Sequence, residues 1–333
     1  MAKVRLLRYA VVHFLVDLGC TLLVLGRICP QSNAAMVILL YNFFAFAVQM
    51  PMGLVADKIG RCRYFAAAGC LLVLAGWLLP AGVPAAMTAG LGNAAFHVGG
   101  GLNTLNESGD KAGPLGLFVS TGAFGVYFGG QWALNGYDPY ICLLLGISAL
   151  VLLPAGGKTE NAGLELPGGN EGLIPAILCL LAVVILRSLL GLAADLPWKA
   201  EHGILAVSAV AGGKAAGGYL ADRFGTMRVA MASLGLAAVC FFAGKHILFG
   251  VPALFLFNMT MPLTLWAVAR LMPGIKGFSF GLLTFGLFLG FLPVFYGMSG
   301  LTTVCLGIGT VISIPILYCG LRKAGKGNTN GIS

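Results

Sequence analysis

Charge is scarce in this chain: 9% of its 333 residues are Asp, Glu, Lys or Arg, and only 11 of them are acidic. With 59% hydrophobic residues, that scarcity excludes a disordered chain and also a soluble domain, because no soluble core of this length buries so much apolar surface. Paired cysteines are missing too. The nine cysteines include no C-x-x-C spacing, so they read as small packing residues, and no metal site is expected. The full phosphate-loop pattern Gly-x-x-x-x-Gly-Lys-Ser/Thr is absent, because Leu152 stands where the first glycine ahead of Gly157-Lys158-Thr159 would have to be; the chain is not expected to bind ATP or any other cofactor. Neither a catalytic cluster at one membrane interface nor a soluble partner-binding domain is apparent, so an enzyme and a scaffold are both disfavoured.

What is abundant is glycine, with 50 residues, and long apolar runs. Runs near the roughly 20 residues that cross a bilayer as a helix recur twelve times. They lie near Leu6–Gly26, Ala34–Val55, Tyr64–Ala81, Val83–Thr104, Gly113–Leu134, Tyr140–Leu153, Leu173–Leu196, Ile204–Leu220, Val229–Phe249, Val251–Leu271, Phe278–Met298 and Leu301–Gly320. The expected class is an all-α integral membrane protein with twelve transmembrane helices in two pseudo-symmetric six-helix bundles. The predicted divisions are 1–154, a cytoplasmic linker at 155–172 rich in Gly and Glu, and 173–333 with a short cytoplasmic tail.

The formal charge of +9 does not point to nucleic acid, because the basic residues sort by membrane side. Fifteen fall on the side of the two chain ends, three (Arg27, Lys199 and Lys245) on the other, and Arg187 and Lys214 within helices. The positive-inside bias then places both termini in the cytoplasm of a multi-pass protein of the inner or plasma membrane. The basic start resembles a signal peptide, but His13 and Asp17 inside the first run argue for a retained helix.

One segment occurs twice. Gly53-Leu-Val-Ala-Asp57-Lys-Ile-Gly60 returns as Gly218-Tyr-Leu-Ala-Asp222-Arg223-Phe-Gly225, 165 residues later, and the same offset relates Arg63 to Arg228, Asn93 to Asn258 and Gly116 to Gly281 without a gap. That register indicates a duplicated unit. It also supports the sixth run, only 14 residues long between Pro139 and Pro154, since adding 165 lands inside the last run.

The stretch from Gly53 to Arg63, including Arg61, resembles the signature loop of the major facilitator superfamily between its second and third helices. Gly218 to Arg228 resembles the weaker copy between helices eight and nine, with Thr226 in place of Arg61. The resemblance covers essentially the whole chain. It implies that Asp57 contacts the start of the eleventh helix around Lys276 to Phe280 and helps hold one access state; otherwise the loop is a topology anchor. A carboxylate at a helix N-terminus is favoured by about 0.3 to 1 kcal/mol, enough to bias a near-balanced equilibrium. Within the superfamily, His13-Phe-Leu-Val-Asp17 and Gly92-Asn-Ala-Ala-Phe-His97-Val-Gly-Gly-Gly101 are similar to the pattern of the fosmidomycin-resistance-type exporters and their uncharacterised relatives. The fifth helix has Gly125-Val-Tyr-Phe-Gly129-Gly130 and lacks the proline of the antiporter signature.

A charge at mid-membrane costs about 2.5 to 3.5 kcal/mol on insertion scales, so each one is expected to have a partner, a wet cavity or a role. The resemblance implies that helices one, four, seven and ten line a central cavity; Asp17, His97, Arg187 and Asn258 fall one on each. Asp17 is the expected proton carrier, with His13 one turn away and His97 as further candidates; the alternative is a buried polar pair that fixes packing. Arg187 is expected either to pair with Asp17 or to bind an anionic substrate group, against a structural role. Asn93, His97, Asn258, Lys214 and Gln49 are further substrate-binding candidates. Lys214 has the alternative of snorkelling to the cytoplasmic surface, and the amides that of bridging helices. The glycines of helices five and eleven, Gly122 among them, read as smooth sliding surfaces.

The expected function is therefore a monomeric secondary active transporter whose partners are protons, a small-molecule substrate and the lipid bilayer. It would move a small organic anion or zwitterion, a drug or metabolite, outward by alternating access. Proton-coupled nutrient uptake and a lipid transporter or flippase are the alternatives.

Overall fold

The computed structural model describes residues 2–135, 140–153 and 171–326. The predicted linker at 155–172 lies almost entirely outside them. The described residues form an all-α membrane fold of twelve helices, with a single isolated bridge, Ala194 to Leu301, as their only extended pairing. In order they are α1 (Lys3–Gln31), α2 (Ala34–Ile59), α3 (Cys62–Leu78), α4 (Val83–Ser108), α5 (Gly113–Asn135), α6 (Tyr140–Leu152), α7 (Leu173–Ala193), α8 (Gly203–Phe224), α9 (Thr226–Phe242), α10 (Ile247–Leu271), α11 (Lys276–Phe295) and α12 (Thr303–Lys326).

Seven of these, α1, α2, α7, α8, α10, α11 and α12, are long and apolar enough to cross a bilayer. Three are shorter: α3 and α9 have 17 residues each and α6 has 13. At 1.5 Å per residue α6 spans about 20 Å, less than the hydrocarbon core of about 30 Å. The ninth run was predicted to continue to Phe249, but α9 stops at Phe242 and a new helix starts at Ile247. Ala243 leaves the helical region and Gly244 turns back, its N–H donating to the carbonyl of Phe241 at 2.9 Å. The Trp198 indole pins that turn by donating to the Gly244 carbonyl at 3.0 Å.

Local chemistry sets the helix ends. The Asn33 side chain accepts from the Met36 N–H at 3.0 Å and starts α2. Gly60 ends α2 at φ 67°, and its repeat mate Gly225 ends α8 at φ 91°, a region that favours glycine. Three helices are irregular. A π-helical stretch interrupts α1 at Leu23–Ile28 and α2 at Phe43–Ala47, while α10 breaks at Met259 between Asn258 and Thr260.

The chain forms two compact units, the first made of Met1–Gly109, Thr121–Leu164 and Ile275–Phe285 and the second of Asp110–Ser120, Glu165–Gly274 and Gly286–Ser333. In the first unit, glycines bring backbones together. A Cβ on Gly69 or Gly92 would strike the facing backbone of α4 or α3, and one on Gly99 would strike Cys62 and Ala66. That seam uses one face of α4. Its neighbouring face, carrying Asn93 and His97 one turn apart, is left to meet α1. The far ends of α1 and α4 are tied by Arg5 and Glu107, 2.7 Å apart.

Candidate functional site

The first unit gathers four of the sequence-predicted residues into one cluster. Asp17 lies at the middle of the 29-residue α1, and His13 sits one turn away with its Nε2 3.2 Å from Asp17 Oδ2. From α4, Asn93 donates its Nδ2 to Asp17 Oδ1 at 3.1 Å, and His97 Nε2 lies 3.6 Å from the same oxygen. The two imidazoles meet directly, Nε2 to Nε2, at 2.8 Å, with their rings edge to face.

The backbone fixes the tautomer. His97 Nδ1 is 2.9 Å from the carbonyl oxygen of Asn93, which can only accept. Nδ1 therefore carries hydrogen, and a neutral His97 presents Nε2 as a lone pair. His13 Nε2 must then supply the hydrogen between the rings, and the same hydrogen faces Asp17 Oδ2. Two acceptors compete for one donor. The side chains are almost closed to solvent, at 5% for His13, 13% for Asp17 and 11% for His97. Asn93 Oδ1 is buried and has no hydrogen-bond partner among the described residues.

Glycines of α5 close the other side of α1. A Cβ on Gly125 would fall on the Phe14 carbonyl, and one on Gly129 on that of Leu18. Gly122 differs, because its Cβ would fall on Asp17 Oδ2 and His13 Nε2. The sequence reading placed Gly122 with the sliding surfaces; the structure puts it against the polar cluster. Its periodicity with Gly125 and Gly129 signals only close packing, so nothing in the sequence separates its role from theirs.

In the second unit Arg187 is 7% exposed. The described residues give its guanidinium one hydrogen bond, from Nη1 to Thr260 Oγ1 at 3.3 Å, while that hydroxyl donates to the Phe257 carbonyl at 3.0 Å. Thr260 was not among the predicted site residues. It stands just past the α10 break, which local sequence gives no means of locating. Asn258 precedes the same break and turns its amide to its own helix, donating to the Leu254 carbonyl at 2.8 Å.

Gln49 and Lys214 occupy equivalent helix crossings. A Cβ on Gly281 would strike the Gln49 carbonyl, and one on Gly116 the Lys214 carbonyl. Gln49 is fully buried, bonded through Nε2 to the Ala45 carbonyl with Oε1 unpartnered among the described residues; Lys214 is half-buried.

The two signature loops also repeat in three dimensions. Asp57 accepts from the backbone N–H groups of Gly277 at 2.7 Å and Phe278 at 2.9 Å, at the start of α11. Asp222 accepts from Ala112 at 2.7 Å and Gly113 at 3.0 Å, at the start of α5. Subtracting 165 turns each partner of Asp57 into a partner of Asp222. Gly53 and Gly218 make these contacts possible, since a Cβ on either would strike the backbone at Gly277 or Ala112. Burial separates the copies: Asp57 is 6% exposed, whereas Asp222 is solvent-exposed. Around them, Arg61 and Arg63 lie over the Tyr64 ring at 5.9 and 4.9 Å, and Arg223 lies over Phe224 at 5.4 Å. Arg228 is exposed at the start of α9.

No family model and no curated protein sequence matches the chain. Solved structures do. A variant of the Escherichia coli fucose:proton symporter FucP superposes with a TM-score of 0.64 at 13% identity, covering 97% of this chain and 99% of that one. The human organic anion transporter MFSD10 gives 0.61 at 13% identity, covering 96% and 97%. A bacterial homologue of the iron transporter ferroportin, in an outward-facing state, gives 0.57 at 19% identity, covering 97% and 99%. Likeness at these identities is likeness of fold. The chain has, over nearly its whole length, the twelve-helix fold of the major facilitator superfamily transporters.

Proposed function

We propose that this protein is a secondary active transporter of the major facilitator superfamily, of the kind of the fosmidomycin-resistance-type exporters and their relatives, that moves a small organic anion or zwitterion outward by proton-coupled alternating access. One observation carries the reading: Asp17, at the centre of a bilayer-length helix, is held by His13, His97 and Asn93 in a nearly closed polar site. Such a constellation in an apolar span marks an ion or substrate pathway.

Arg187 supports an anionic cargo, because a buried guanidinium with a single hydroxyl partner retains donors for a carboxylate or phosphonate. The human protein of this fold is named an organic anion transporter, which agrees with that cargo class. The coupling ion of this reading is the proton. Asp57 and Asp222 are proposed to act at the cytoplasmic gate, each holding the N-terminus of a helix through two backbone hydrogen bonds.

The test is flux in proteoliposomes under an imposed pH gradient, with radiolabelled small carboxylates and phosphonates, beside a growth screen of an expressing strain against toxic compounds. Gradient-driven outward movement together with resistance is the expected result. A nutrient phenotype with inward flux would replace export by uptake, and stimulation by phospholipid alone would replace both by a flippase.

A further inference from the structure

We propose that His13, Asp17 and His97 form a binding site for one divalent transition-metal ion of the zinc class, which nothing in the sequence spacing announces. The three side chains offer two imidazole nitrogens and a carboxylate oxygen, all within 4.8 Å of one another. The contacts among them measure 2.8, 3.2 and 3.6 Å. A tetrahedral ion with bonds of about 2.0 to 2.1 Å holds its ligands about 3.3 to 3.4 Å apart. The two imidazole nitrogens stand inside that edge and each faces a different oxygen of Asp17, His13 Nε2 facing Oδ2 and His97 Nε2 facing Oδ1, so two imidazoles and a carboxylate converge on one point, where an ion takes the place of the hydrogen on His13 Nε2 as the rings spread by about half an ångström.

The supporting groups are those a metal site uses. His97 has its Nδ1–H anchored on the Asn93 carbonyl, which leaves Nε2 as the ligand and fixes the ring plane. Asn93 Nδ2 holds the carboxylate by donating to Asp17 Oδ1. Asn93 Oδ1 is buried without a partner among the described residues, an unmet acceptor beside the ligands of the kind that a metal-bound water satisfies. Imidazole with one carboxylate selects zinc, cobalt or iron(II) over magnesium, which prefers oxygen ligands in an octahedron. This inference does not depend on the transport reading, since binding is an equilibrium property of the purified protein.

The experiment is calorimetric titration of the metal-stripped, detergent-solubilised full chain with Zn²⁺ and with Mg²⁺, and the electronic spectrum of the protein loaded with Co²⁺. The expected result is one zinc per chain, no magnesium binding, and a cobalt spectrum of nitrogen and oxygen ligands without a thiolate charge-transfer band. His97→Gln and His13→Gln should each weaken zinc by more than about 100-fold, since even outer-shell losses cost 10 to 100-fold. Absence of zinc binding by the wild-type protein would overturn the proposal. So would affinity unchanged in both variants, or a thiolate band, which would place the metal on cysteines. The wild-type cobalt spectrum decides the ligand class even if a variant does not fold.

Discussion

The Nε2 atoms of His13 and His97 lie 2.8 Å apart, with a carboxylate oxygen of Asp17 beside each. The Asn93 carbonyl holds the hydrogen of His97 on Nδ1, so a single hydrogen on His13 serves two acceptors. The Asp17 carboxylate and His97 Nε2 therefore compete for that one hydrogen.

Replacing Asp17 by Asn removes the charge while keeping the shape. In proteoliposomes the expected outcome is loss of flux driven by a pH gradient, with counterflow of substrate retained. Gradient-driven flux equal to wild type would remove Asp17 from coupling.

Arg187→Lys preserves the charge but loses the planar fork. Affinity for an anionic substrate should fall about tenfold or more, in line with the roughly 1.5 to 3 kcal/mol of a hydrogen bond to a charged group. Binding measured by substrate protection against thermal unfolding checks this, and an unchanged dissociation constant would exclude a bidentate substrate contact.

The two loop aspartates should differ in weight although their bonds match. Asp57→Asn turns an amide N–H₂ towards a backbone N–H in a buried setting, with an expected loss of about 1.5 to 3 kcal/mol. Asp222→Asn leaves its group in water, and the expected loss is below about 1 kcal/mol. Thermal unfolding of the two variants in detergent distinguishes them; equal shifts would show that burial does not set the difference.

Glycines along α5 are not equivalent. Gly122→Ala places a methyl against Asp17 and His13, whereas a Cβ on Gly130 meets nothing within 4 Å. Flux should be lost in the first variant and kept in the second, with both proteins inserted in the membrane to similar levels. Normal flux in Gly122→Ala would mean that the cluster yields without consequence.

Composition and periodicity were enough to determine a twelve-helix membrane fold, because a bilayer admits few ways to bury so many apolar runs with their backbone groups paired. The constant offset of 165 also marked Asp57 and Asp222 as equivalent positions of one repeat. Helix spacing set His13 and Asp17 one turn apart, and likewise Asn93 and His97. Which of these faces met was decided by tertiary packing: the Gly92 and Gly99 seam fixes the rotation of α4 against α3, and that rotation delivers Asn93 and His97 to α1. The end of α9 at Phe242, the bond from Arg187 to Thr260 and the position of Gly122 against the cluster rest on contacts between residues far apart in sequence. Local pattern carries no record of these, since apolar helices of one period pack at any rotation until their small and polar residues select one.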